Sequence, residues 1–293
     1  MSVHTIKLTN LKADTRYFYR VGDETYGWSA IYTFKTLVPG TPKVDVIMYA
    51  DVGDWNGQQT IPYLQNHVQL DEDVDMIIHS GDFAYDMATD NARAGDRFLN
   101  DIQNVAAYVP YQVAPGNHEN HYNYSNYRAK FWAPGEESKS YTNLYCSFPF
   151  STIRFIAIST EIYYDDVNYD MSHVETQYRW LEATLQQAVK ERKYRPWIIV
   201  YGHRPIYFAY GQDPNLILGR KDTNGTRKFG LEDLFLKYDV DIYFAGHVHN
   251  YQRMYPTARQ KVVSKSYSNA AAPIYLISGA GGSSEGISNC PPQ

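Results

Sequence analysis

Five short polar segments, each following a run of apolar and β-branched residues, constrain this chain more than any other feature. They are Asp51–Gly53, Gly81–Tyr85, Gly116–Glu119, Gly202–His203 and Gly246–His249. One aspartate at a strand end is best read as the cap of a turn or helix. Five polar segments at successive strand ends need another account. In open α/β sheets, ligands bind in the crevice beyond the carboxyl ends of the strands, so these side chains are expected to converge. Asp51, Asp82, Tyr85, Asn117, His203, His247 and His249 form a donor set for a pair of metal ions. Imidazole, carboxylate and amide oxygen suit hard and borderline cations, and Asp82 is central enough to bridge two of them.

The flanking pattern supports that placement. Strands are expected at 44–50, 75–79, 111–114, 153–159, 196–201, 240–245 and 274–278, with helices near 58–68, 91–106, 174–192 and 229–238. Strands alternating with helices indicate a layered α/β domain over residues 39–293. In the clearest helix, 174–192, Ser172 and Glu175 read as a capping box, and Tyr178, Leu181, Leu185 and Val189 recur on one face. Residues 1–38 differ. Segments 5–11, 15–21 and 28–36 alternate with period two, and Leu11–Tyr17 resembles a tyrosine corner. Three strands cannot close a sandwich, which needs about seven, so residues 1–38 are expected to be the last part of a small β-domain.

With a formal net charge of −5, the chain offers no electrostatic reason to bind nucleic acid. No apolar stretch is long enough for a membrane span, and the N-terminus lacks the apolar core of a signal peptide. Two cysteines, Cys146 and Cys290, are too few for a disulfide framework, and their pairing stays open. Asn123 and Asn224 open glycosylation sequons that matter only in a secretory protein. Signatures of other chemistries, namely a P-loop, an HExxH pair, a CxxC pair and a serine elbow, are absent from the sequence. Gly279–Gly282 reads as a tight turn.

Tyr85 discriminates most. A phenol must lose a proton of pKa about 10 to become a good ligand, which a trivalent cation compensates best, so Tyr85 points to ferric iron in one site. His79 is expected to be a core histidine with a satisfied nitrogen, His173 to sit in the first turn of a helix, and His4 and His67 to lie at the surface. His121 stays open.

These motifs resemble the metallophosphoesterase superfamily and, more narrowly, the purple acid phosphatases. The narrowing rests on Tyr85 after Gly81-Asp82, on Gly116–Glu119, on Gly246–His249, and on the leading β-fragment, which is similar to a fibronectin-III-like domain. The resemblance implies a four-layer α/β/β/α sandwich. It implies Fe(III) held by Asp51, Tyr85 and His249, a divalent ion (zinc, iron or manganese) held by Asn117, His203 and His247, and Asp82 between them. The implied activity is hydrolysis of small phosphate monoesters at acid pH by metal-bound hydroxide, with His118 on the phosphoryl group or the leaving group. A secreted or lysosomal location is implied too, as is a chain that starts partway through the β-domain and stops before a C-terminal tail. One departure bears on substrate. Members commonly carry histidines between the positions of His203 and His247, whereas this chain has only Gln212 and Asp213 as polar substitutes. The alternatives are a diesterase or nucleotide pyrophosphatase on the same metals, and a non-catalytic metal-binding relative.

Overall fold

In the computed structural model, which describes residues 3–71, 74–164 and 169–289, the apolar runs become the strands of two sheets. Ahead of them, β1 (Arg16–Tyr19) and β2 (Tyr32–Lys35) pair antiparallel, and a tight hairpin joins Gly22–Asp23 to Gly27–Trp28. The Lys12 backbone N–H donates to the Tyr17 hydroxyl at 2.7 Å, which is the tyrosine-corner bond. The strand expected at 5–11 does not form. Alternation creates a pairing face, but a strand also needs an edge to pair with, and Ile6 and Leu8 are left exposed.

The first main sheet holds β3 (Val46–Tyr49), β4 (Met76–Ser80) and β5 (Tyr111–Ala114), all parallel, in the order β3–β4–β5. The second holds β6 (Cys146–Phe150), β7 (Ile153–Ala157), β8 (Trp197–Tyr201), β9 (Ile242–Ala245), β10 (Tyr251–Arg253) and β11 (Ile274–Ser278). Its order is β6–β7–β8–β9–β11–β10. The four middle strands are parallel, and β6 and β10 close the edges antiparallel. The helices include α1 (Thr60–Asn66), α2 (Arg93–Ala106), α3 (Met171–Glu191) and α4 (Leu231–Lys237).

Alternate residues along each strand separate the layers. Met76, Ile78 and Ala114 of the first sheet share one buried cluster with Phe155, Ala157, Ile199, Tyr201 and Phe244 of the second. The intervening residues, among them Ile77, Val113, Ile156, Ile198 and Val200, pack with Leu64, Phe98, Leu181 and Phe235 of the helices. Strands covered on both faces read as continuous apolar runs, which is why the sequence marked them clearly. The result is the α/β/β/α sandwich. No helix among the described residues is long and apolar enough to cross a membrane.

Helix α3 corrects two expectations. Its N-cap is Asp170, whose carboxylate accepts the Ser172 N–H at 2.9 Å. Glu175 pairs with Arg179 instead of closing a capping box. A carboxylate is as good a cap as a hydroxyl and also favours the positive end of the helix dipole. The buried stripe is Val174, Gln177, Leu181, Leu185 and Ala188. Tyr178 is half-buried and Val189 exposed, so the face is rotated from the one expected. Cys146 is buried in β6 without a disulfide among the described residues, and Cys290 lies outside them.

His79 in β4 is fully buried. Its Nδ1 lies 2.9 Å from the Tyr111 hydroxyl, which is itself bonded to the hydroxyl of Tyr49. Burial pushes its pKa down to about 3. An unfolded chain, with a histidine pKa of about 6.5, takes up a proton there on acidification that the folded chain refuses. Stability from this group is therefore full above about pH 6.5 and is lost progressively as pH falls towards the folded value. In urea denaturation between pH 6.5 and 4.5, His79→Leu is expected to flatten the acid slope by up to about 1.4 kcal/mol per pH unit. Equal slopes in the two proteins would contradict a neutral His79.

Candidate functional site

Every parallel strand of both sheets delivers its last residues to one edge of the sandwich. Asp51 lies two residues beyond β3, Asp82 two beyond β4, Asn117 three beyond β5, His203 two beyond β8 and His247 two beyond β9. The turns there are tight. Asp51, Asp82, Tyr85 and His247 have φ of 65°, 57°, 41° and 66°, left-handed values that cost a non-glycine residue about 1–2 kcal/mol. Such strain gathers where a side chain must be aimed. Gly116 is required by close approach, because a Cβ there would stand 2.3 Å from Asp82 Oδ1.

The seven expected ligands meet in two adjoining groups. In the first, the Tyr85 hydroxyl is 3.1 Å from Asp51 Oδ1 and 3.1 Å from His249 Nε2, and that nitrogen is 3.4 Å from the same carboxylate oxygen. His249 Nδ1 faces the Gly286 carbonyl at 2.9 Å. A carbonyl only accepts, so Nδ1 carries a proton and Nε2 is the atom presented to the site. In the second group, His203 Nε2 lies 3.0 Å from Asp82 Oδ2 and 3.2 Å from Asn117 Oδ1. His203 Nδ1 faces the Ser80 carbonyl at 2.9 Å and is oriented in the same way. Ligand atoms of Asp82, His203 and His247 all lie within 4.8 Å of one another. The groups share a wall, since the His247 N–H donates to Asp51 Oδ2 at 2.9 Å.

The electrostatics are those of acids crowded out of water. Burial pushes Asp51 up, against the pull of His249 and His203. Burial also opposes ionisation of Asp82, but the His203 charge outweighs it and holds this carboxyl low. His203 is correspondingly raised to about 10, its burial overcome by Asp82, Asp51 and Glu161. Burial, then the positive charges of His203 and Arg204, push His247 down to about 2, which leaves it in the neutral form that binds metals. Burial and the charges of Asp51 and Asp82 hold the Tyr85 phenol far above its ordinary value.

His118 stands at the rim. Its ring is 4.5 Å from that of Tyr85, its Nδ1 meets the Asp86 carboxylate, and its Nε2 is 3.5 Å from Glu285 and 4.0 Å from Asp82. Three residues at the site had no role in the sequence reading. Glu119 is buried beneath the turns and accepts the N–H groups of Asp82, Phe83 and Gly116 at 2.7–2.9 Å. Its place inside Gly116–Glu119 was the available signal. Arg204 and Glu161 form a pair beside His247, with no periodic signal across 43 positions. Asp213, offered as a polar substitute, caps the short helix Pro214–Leu218 and accepts from the Tyr164 hydroxyl. Gln212 is part of a two-residue strand paired with Tyr207–Phe208. Asn224 is exposed in a turn, and Asn123, also exposed, accepts from the Tyr169 hydroxyl. His121 is exposed.

Residues 45–251 match the family model for calcineurin-like phosphoesterases. The chain belongs to that family. Within the calcineurin-like phosphoesterases its likeness is to the purple acid phosphatases, whose N-terminal domain model matches residues 1–36. Acid phosphatase type 7 of Mus musculus is 39% identical, over 97% of this chain and 65% of its own length. The Homo sapiens protein of the same name is 38% identical over the same shares. A purple acid phosphatase structure from yellow lupin (Lupinus luteus) seeds superimposes with a TM-score of 0.75 at 25% identity, covering 98% of this chain and 53% of the other. The chain thus spans just under two thirds of these curated relatives.

Proposed function

We propose that this chain is a phosphatase domain that hydrolyses phosphate monoesters with a binuclear centre of ferric iron and a divalent ion. The observation that carries the reading is the convergence of Asp51, Tyr85 and His249 in one group and Asp82, Asn117, His203 and His247 in the next. The donors suit cations on chemical grounds. Two buried carboxylates and a phenol crowded together each raise the cost of the others' negative charge, and a multivalent cation reverses that sign. In this reading the first group holds the ferric ion and the second the divalent ion, with Asp82 between. When bound, the pair supplies Lewis-acid activation of water and of the phosphoryl group.

The chain's own residues do the rest. The carbonyls of Ser80 and Gly286 fix the two imidazoles, Glu119 fixes the turns bearing Asp82 and Asn117, and His118 offers Nε2 to the phosphoryl oxygens or the leaving alkoxide. Secretory or lysosomal placement and glycans on Asn123 or Asn224 belong to the same reading. The test is elemental analysis and a visible spectrum of the purified full-length protein. A tyrosinate-to-iron charge-transfer band is expected, and Tyr85→Phe should remove it and lower iron content. A colourless protein holding two divalent ions would overturn the ferric assignment.

A further inference from the structure

Asp51 and Tyr85, two members of the first donor group, are carried by turns that lie side by side. Val52–Gly53 pairs parallel with Phe83–Ala84, and the Asp51 and Val52 N–H groups donate to the Gly81 and Asp82 carbonyls at 3.1 Å. Beyond that pairing, one side chain of α2 spans both turns. Arg97 donates from Nε and Nη2 to Asp54 Oδ2 at 3.1 and 2.9 Å, and from Nη1 to Asp90 Oδ2 at 3.2 Å. Asp54 stands three residues after Asp51, and Asp90 five after Tyr85. Asp90 also opens a run of left-handed residues, Asp90, Asn91 and Ala92, at φ of 55°, 54° and 67°. Such a run persists only where its surroundings hold it. The Tyr85 ring packs on the first turn, since a Cβ on Gly53 would stand 3.7 Å from its Cδ2. The spacing of the turns therefore sets where the phenol oxygen stands against Asp51 Oδ1, now 3.1 Å away. The Arg97 side chain is 39% exposed, and an ion pair that open to water adds little stability. Its use is to be sought in what it joins, for which a planar fork of five donors suits better than a point charge.

We propose that Arg97 is a positioning residue for the first cation, clamping the Asp51 and Tyr85 turns at the spacing that brings their two oxygens onto the ferric ion. The inference rests on the ferric assignment above. Without the fork, the 86–92 turn loses its tie to Asp54 and Tyr85 loosens against Asp51. Asn117, His203 and His247 come from other turns and keep their places. Residues behind the ligands commonly govern metal affinity by about 10–100-fold, and the tyrosinate-to-iron band reads the phenolate contact directly.

The test uses metal-loaded full-length protein bearing Arg97→Met, which keeps the apolar stem and removes the fork. In competition with a chelator, iron is expected to leave at least about tenfold more readily than from wild type, while the divalent ion of the second group is retained. The charge-transfer band should shift or broaden. Metal-free Arg97→Met should melt within about 4 °C of metal-free wild type. Arg97→Lys keeps the charge but cannot span both carboxylates; an intermediate loss of iron is expected, and this variant decides the matter if Arg97→Met fails to fold. A wild type that shows the band, beside variants that keep both band and iron affinity, overturns the role of Arg97 alone. Equal loss of both ions in the folded variants does the same, because the clamp would then serve the whole scaffold. A wild type that carries two metals yet shows no band sinks the ferric assignment and this inference together.

Discussion

Asp82→Ala is expected to abolish metal retention and turnover together, with a rate loss of at least about a thousandfold, or about 4 kcal/mol of barrier. Asp82 is the buried carboxylate around which the second donor group is built. Its Oδ2 faces His203, its Oδ1 accepts the His118 N–H at 3.0 Å, and its own N–H is anchored on Glu119. Removing it takes away the counter-charge of His203 and releases the turn carrying Asn117 and His118. His203→Ala should behave alike, because His203 is the partner of Asp82 and touches Asn117 as well. Elemental analysis per protein chain, run beside a monoester assay, checks both variants. Undiminished turnover in a variant lacking metal would defeat the assignment.

Glu119→Ala is expected to destabilise the fold itself. One side chain satisfies three buried N–H groups, from Asp82, Phe83 and Gly116. Each orphaned buried donor costs about 1–3 kcal/mol, so the sum is about 3–9 kcal/mol against a typical total of 5–15. A drop in thermal midpoint of about 5–15 °C follows for a chain of this size, or failure to fold. Glu119→Gln keeps one acceptor oxygen and should lose less. Burial and the Asp82 charge push the Glu119 pKa up to about 8, while three donors aimed at its two oxygens favour the carboxylate, which a cation on Asp82 would favour further. An unchanged melting midpoint in Glu119→Ala would show that the three donors find other partners.

The parts of this molecule legible from sequence are those with a short-range signature. The seven core strands were readable because each is an apolar run that stops at a glycine or polar turn. Tyr17 was readable because a tyrosine corner is local, and Asp51, Asp82 and Asn117 because strand ends have a direction. What escaped depends on long-range partners. The segment 5–11 alternates like a strand yet has no edge to join. Asp170 outcompetes Ser172 as a cap by position alone. The Arg204–Glu161 pair is assembled from the ends of β8 and β7, and neither residue stands out in its own stretch of sequence. The role of Glu119 is invisible until the turns at 82–83 and 116 fold against it.

The two donor groups divide in a way that concerns stability as much as chemistry. Asp51, Tyr85, Asp82 and Asn117 come from the first sheet, while His203, His247 and His249 come from the second. Each group draws on both. A cation bound in either one would therefore act as a rivet across the seam where Met76 and Ile78 meet Phe155 and Ile199. Metal supply and the cohesion of the two halves become one linked equilibrium, in which every tenfold rise in free metal above its dissociation constant tightens the sandwich by about 1.4 kcal/mol per site.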